Sequence, residues 1–459
     1  MDPETIESIV RRQQAFFAAG NTLDIGYRQD ALAALNEAVS THEEAIAEAL
    51  YTDLGKSACE SFMTETGFIG SEITYLQKHL RSWAKDRKAL TPLAQFAAKS
   101  FVRPMPYGSV LIMSPWNYPV LLTLEPLADA IAAGNCVVLK PSAYSPASSS
   151  LIKKIIEEIY PPEYVSVITG GRDENTKLLD QKFDYIFFTG SKSVGKIVLE
   201  KAARHLTPVT LELGGKSPCY VDASADIPLA AKRIVFGKLL NCGQTCIAPD
   251  YILAHESVKD ELISHLKSAI TAQYSAHPLE NPAYGKIISP KHFDRIQRLI
   301  DPSKVVFGGI CNAKTCRIEP TILDNVTEDD AVMQEEIFGP IIPVLTVKDA
   351  KEAVLKINTG EKPLALYVFA EDRQVTKLLT TRCAFGGGCI NDTIIHIATS
   401  RMGFGGTGES GMGSYHGKAG FETFSRHKSI VDKKTWIDIP MRYQPYTEKA
   451  MKMMRTFMK

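Results

Sequence analysis

From residue 109 onward, short apolar runs alternate with segments of helical periodicity, and this rhythm constrains the fold more than any other feature of the chain. "SVLIM" (109–113) leads through "SPWNYP" into a helical stretch around 124–133. "CVVLK" (136–140) precedes a helix-like 146–159, "VSVIT" follows, and "YIFFTG" (185–190) runs into helix-like "SVGKIVLEKAARHL". "VTLELGG" (209–215) closes the series. A second series begins near Ser217, with "CYV", "YILAH", "PIIPVLTV", "LALYVFA" and "GGCIND" as strands and helix-like segments such as "KDELISHLKSAITAQ" and "AKEAVLKIN" between them. Strands of four to six residues separated by helices of about ten to fifteen form a parallel sheet covered on both faces. The expected fold class is α/β, with two tandem doubly wound parallel-sheet domains and a boundary near 213–216.

The first hundred residues read as mostly helical, as in "RQDALAALNEAVSTHEEAIAEALYTDL". "TPLAQFAAKSFVRPMPYG" breaks that period and reads as an extended arm near 91–106. The glycine-rich stretch 402–421 fits neither series and is expected to lie over a site or an interface. Lys+Arg and Asp+Glu both number 52, so charge gives no reason to expect nucleic acid or an anionic membrane as partner. No run reaches about 18 uncharged apolar residues, so no membrane span is expected. The start reads as an amphipathic helix rather than a secretory leader. The basic end "TEKAMKMMRTFMK" reads as a frayed or docked helix, with contact to a membrane surface as the alternative. Nine cysteines without framework spacing suggest free thiols in a reducing cytoplasm.

Sheets of this class bind ligands beyond the carboxyl ends of their strands. In "FFTGSKSVGK" a strand runs into Gly190, Ser191 and Gly195 and then into a helix, whose N-terminus offers free N–H groups to a pyrophosphate. The G-x4-G spacing is neither a dinucleotide fingerprint nor a P-loop, so a plain tight turn stays open. Lys140 ends the strand "CVVLK", within reach of a ribose or phosphate, or simply solvated. Glu212 lies in the apolar "LELGG", with Leu211 and Leu213 on the opposite face. A carboxylate buried at a strand end holds its proton more tightly, which suits a general base; a structural glutamate is the alternative. In "LLNCGQTCIAPDYIL", Cys242 and Cys246 share one face if the segment is helical. Either thiol is a nucleophile if its surroundings favour thiolate, and otherwise a buried side chain. The pair is a poor zinc pattern, so no metal is expected. "SPWNYP" holds Trp116 and Asn117 between prolines, and a stiff loop can aim the Asn117 amide at an oxyanion, worth about 3 kcal/mol, or the side chain can satisfy its own turn.

Together, and in this order, these stretches resemble the aldehyde dehydrogenase superfamily. The matches are "PWNYP", "LKPS", "FTGSKSVG", "LELGGKSP", "NCGQTCIAPDYIL", "EEIFGP" and the closing "SGMGSYHGKAGFETFSRHKSI". The short N-terminus, "GKSPCYVD" and "GQTCIAPDY" look most like class 3 members. The resemblance covers nearly the whole chain. It implies a Rossmann-like cofactor domain (1–213), a catalytic domain (214–400), and a return segment with a bridging or oligomerisation strand and a tail (401–459). It implies Cys246 as nucleophile, forming a thiohemiacetal with the aldehyde. Asn117 and the Cys246 N–H would hold the oxyanion, and hydride would pass to NAD or NADP. Glu212 would activate water to hydrolyse the thioester. Lys140, the turn Gly190–Gly195 with Ser191 and Val194, Trp116, Glu336 and Phe338 would hold the cofactor. Cys242 becomes a bystander, or a partner for Cys246 in an oxidative disulfide.

One departure bears on the cofactor. Many relatives carry an acid just after "KPS", whereas Ala143 stands here. Losing that carboxylate weakens the grip on the ribose hydroxyls of NAD and removes a charge that would repel a 2′-phosphate, so acceptance of NADP is expected. The resemblance further implies a homodimer and a medium-chain aliphatic or aromatic aldehyde as substrate. A CoA-acylating dehydrogenase and a catalytically silent binding protein are the competing functions. Glu212 argues against the first, and intact Cys246, Glu212 and Asn117 against the second.

Overall fold

The structure is a computed structural model that describes residues 5–457. Five helices, from Ile6–Ala18 to Gly67–Trp83, fill the N-terminal part as expected. The first sheet carries six strands in the spatial order Gly411–Met412, Val209–Glu212, Tyr185–Thr189, Ser109–Met113, Cys136–Lys140, Val165–Val167. All its pairings are parallel except the first, where the glycine-rich return segment adds an antiparallel edge. Ser109–Met113 and Cys136–Lys140 are buried at every position. That is why they read as unbroken apolar runs rather than as an alternation.

The second sheet has seven strands, in the order Val305–Phe307, Thr321–Leu323, Ile341–Val347, Tyr251–His255, Pro218–Val221, Ala365–Phe369, Gly387–Ile390. Only Val305–Phe307 runs antiparallel to its neighbour. The fold is thus α/β with two parallel-rich sheets. A third, antiparallel sheet joins Arg87–Ala89, Ala98–Pro106 and Ser425–Lys433, so the expected arm near 91–106 runs into one of its strands.

The helix expected around 124–133 begins earlier, at Leu121. Its first amides have no cap in their own segment. The Glu65 carboxylate accepts the N–H groups of Val120 and Leu121 at 2.9 and 3.0 Å, from 55 and 56 residues away. A distant side chain does the capping, so no local signal marks the start.

Candidate active site

The turn between Leu239 and Ile247 is not a helix, so the shared-face arrangement of Cys242 and Cys246 does not occur. Asn241 and Cys242 take left-handed φ values of 51° and 53°, and Gly243 follows at 75°. A Cβ on Gly243 would meet the Gly339 carbonyl oxygen at 2.3 Å, so only glycine fits this close approach. Gln244 locks the turn. Its amide donates to the carbonyls of Asn241 and Lys286, each at 3.0 Å, and accepts from Ile288 N–H at 3.0 Å. The reversal sends the two thiols apart. Cys242 is buried with Tyr220, Leu253 and Tyr284 under the second sheet, whereas Cys246 packs against the larger core. All nine cysteines are free.

Cys246 lies where two cavities meet. One, of about 310 Å³, is bordered by Trp116, Asn117, Gly190, Ser191, Glu212 and Glu336, with Phe338 alongside. The other, of about 240 Å³, is lined mostly by apolar groups, among them Phe68, Tyr118, Phe236, Ile394 and Ile397. Cys246, Leu122, Phe404 and Tyr415 face both. Burial, with Glu336 and Glu212 nearby, pushes the Cys246 thiol up to about 12. In the resting site it is therefore a neutral thiol at pH 7, and a base must take its proton before it attacks.

Glu212 ends the strand Val209–Glu212, between Thr189 and Gly411. Leu211 and Leu213 turn away, into a core with Val198, as the alternation requires. Glu212 is 2 % exposed, and neither carboxylate oxygen has a hydrogen-bond partner among the described residues. Burial alone raises its proton affinity well above that of an ordinary glutamate. Its backbone carbonyl accepts the Gly190 N–H at 2.9 Å, which ties the turn after Tyr185–Thr189 to the acid.

That turn feeds the helix Lys192–Ala203, with Ser191 at its N-cap making no side-chain cap bond. The free N–H groups of its first turn form an anion site by geometry and dipole. Glu336 faces the turn from the second sheet's side. Its Oε1 has no partner, and a Cβ on Gly214 would meet its Oε2 at 2.1 Å. Burial and the neighbouring Asp250 push it up to about 8. Arg295 holds this loop through the carbonyls of Glu336 and Ile337, at 3.1 and 2.7 Å, and Asp250 accepts the Ile337 N–H at 2.8 Å. Phe338, at φ 49°, meets the Trp116 ring edge-on at 5.4 Å.

Lys140, Val194 and Gly195 border neither cavity. Lys140 is almost fully buried, donates to the carbonyls of Pro141 and Gly170 at 2.9 and 2.8 Å, and is lowered by burial to about 8. Ala143 lies exposed in the turn beyond. His292 and Arg295 line the polar cavity although no sequence pattern marks them; Tyr415 and Phe404 fall in the glycine-rich stretch, which the sequence flags only as a region. Among the described residues no cluster of His, Cys, Asp and Glu has the arrangement of a metal site, and no helix is long and apolar enough to cross a membrane.

The sequence pattern of the aldehyde dehydrogenase family matches residues 1–430. This chain belongs to the aldehyde dehydrogenase family. It is 46 % identical to the 4,4'-diaponeurosporen-aldehyde dehydrogenase of Staphylococcus aureus, covering 97 % of both chains. It is 42 % identical to the dimeric, NADP-preferring aldehyde dehydrogenase of Canis lupus familiaris, covering 96 % of this chain and 98 % of that one. The solved substrate-bound state of Staphylococcus aureus AldH superposes with a TM-score of 0.98 at 46 % identity, with both chains covered in full. As an aldehyde dehydrogenase, the protein is an oxidoreductase that oxidises an aldehyde with NAD(P).

Proposed function

We propose that Cys246 is the nucleophile, Glu212 the general base and Asn117 an oxyanion donor, acting on an apolar medium-chain or aromatic aldehyde. The observation that carries this is the position of Cys246 at the junction of an apolar cavity and a polar one, where the Glu212 carboxyl and one oxygen of Glu336 are buried without hydrogen-bond partners among the described residues. The Cys246 thiol passes its proton to the Glu212 carboxylate, which releases it to solvent, and the sulfur bonds to the aldehyde carbon. The carbonyl oxygen, now an anion, faces the Asn117 amide and the Cys246 N–H. Bound NAD(P) supplies the hydride acceptor. The resulting thioester on Cys246 is attacked by water. Glu212, with no partner to stabilise its negative charge, takes the water proton. The carboxylic acid then leaves and the thiol is restored.

The residues present fit a dinucleotide. The N-terminus of Lys192–Ala203, approached through Gly190, suits the pyrophosphate, and the orphaned Glu336 oxygen suits ribose hydroxyls. Trp116 and Phe338 flank the same cavity. Lys140 would hold the adenine-side ribose, and Val194 and Gly195, in the first turn of Lys192–Ala203, would hold the pyrophosphate together with Gly190 and Ser191. Ala143 leaves room and no repelling charge for a 2′-phosphate, so NADP is accepted. The free edge of Ser425–Lys433 supports a homodimer, and nine unpaired thiols support a reducing, cytoplasmic setting.

Stopped-flow absorbance of NAD(P)H with hexanal or benzaldehyde tests the reading. Glu212→Gln should give a burst and then slow turnover, and Cys246→Ser nothing. A full-rate steady state in Glu212→Gln would remove Glu212 from the hydrolytic step.

A further inference from the structure

The loop that carries Asn117 is fixed from behind by a buried ion pair that touches neither cavity. Lys56 and Glu65 are both 0 % exposed, and their charged atoms lie 2.5 Å apart. Glu65 belongs to a π-helical turn, Phe62–Thr66, a rare geometry that often marks functional sites. Each end of the pair grips the loop 115–121. Lys56 donates to the Asn117 backbone carbonyl at 3.1 Å and lies 3.9 Å over the Tyr118 ring. Glu65 accepts the N–H groups of Val120 and Leu121.

The same carbonyl also ties the loop to the nucleophile turn. It accepts the Asn241 side-chain amide at 2.7 Å, while the Asn117 side-chain amide donates to the Gln244 carbonyl at 3.0 Å. Asn241 is held in turn by Glu60, which accepts its backbone N–H at 2.6 Å. The Asn117 peptide plane therefore has two donors on its carbonyl, and its side chain a fixed acceptor two residues before Cys246.

A buried ion pair is a poor stability device. Apolar side chains of similar volume often serve as well or better, because desolvation offsets the attraction. What such a pair supplies is a fixed geometry. We propose that Lys56, seated by Glu65, is a positioning residue that holds the Asn117 peptide so that its side-chain amide faces the oxyanion formed on Cys246. The inference rests on the proposed role of Asn117. An oxyanion donor counts only if it is correctly placed before the charge develops, and small misplacements are costly.

The test is a double-mutant cycle read by the hydride burst. Lys56→Met, Asn117→Ala and the double variant are compared with wild type. Burst rate, cofactor KM, the rate of Cys246 alkylation by iodoacetamide and Tm are recorded for each. Lys56→Met should slow the burst about 10- to 100-fold, while alkylation and cofactor KM stay within about twofold of wild type. In the Asn117→Ala background the same substitution should change the burst by less than about twofold. Glu65→Gln keeps the shape of the pair and serves if Lys56→Met does not fold; it should give a smaller loss that also vanishes in Asn117→Ala. Lys56→Arg should recover part of the rate. Equal losses in both backgrounds, or a wild-type burst in Lys56→Met, would overturn the proposal. A wild-type burst in Asn117→Ala would overturn the oxyanion role itself, and that outcome is separate from failure of the cycle.

Discussion

Two cavity-facing side chains, Cys246 and Glu336, carry proton affinities that can be read in solution. The thiol of Cys246 is held up at about 12, and the thiolate, not the thiol, reacts with alkylating agents. Its iodoacetamide rate in the cofactor-free protein should climb steadily with pH, with no plateau below about pH 10. A plateau near neutrality would show a thiolate already formed. Glu336 titrates at about 8 in the folded chain against an ordinary 4.5. Its folded form thus prefers the neutral acid. That preference costs nothing below the unfolded value and removes stability as pH rises through 8. Glu336→Gln mimics the neutral acid at every pH. Its Tm should exceed wild type by roughly 1–3 °C at pH 9 and match it at pH 5. An equal difference at both pH values would remove the titration of Glu336 as the cause.

At the scale of elements, the strand–turn–helix units were legible because each one writes its own signal. An apolar run, a glycine turn and a helical period lie within thirty or so residues, which suffices for Tyr185–Thr189 with Lys192–Ala203. Glu212 was legible for the same reason: a carboxylate inside an apolar run is conspicuous. What stayed hidden was apposition. Nothing local ties Glu65 to Leu121, or Phe404 to Cys246. The reversal at Asn241 and Cys242 was hidden too, because neither residue is glycine and both take positive φ. The exposed turn holding Ala143 carries an element-scale prediction. Ala143→Glu restores a carboxylate beyond Cys136–Lys140. It should lower KM for NAD and raise KM for NADP, moving the NAD:NADP ratio of kcat/KM by about fivefold or more, since like charges brought together cost at least ~1 kcal/mol. An unchanged ratio would mean that this turn does not meet the ribose.

At the scale of the whole molecule, the third sheet offers an edge for another chain. Among the described residues, Ser425–Lys433 pairs with Ala98–Pro106 along one side only. An unpaired strand edge is a template for another chain. The prolines of the neighbouring strand fix which of its amides face outward. Pro106 and Pro104 stand opposite Ser425 and His427. Proline has no N–H to give, so these are the non-hydrogen-bonded pairs of the ladder. By alternation, Ser429 and Val431, opposite Val102 and Ser100, have the same parity. Their N–H and C=O groups point to the free edge, and Val431 is 53 % exposed. Light scattering should give twice the chain mass of 50.5 kDa for the wild-type protein. Val431→Pro removes one outward amide without touching the inner ladder, and should shift the protein toward monomer at micromolar concentration. Lys428→Pro removes an inward amide instead and should lower Tm. A wild-type monomer would refute the homodimer. A dimer that survives both Ser429→Pro and Val431→Pro would place the contact on another face.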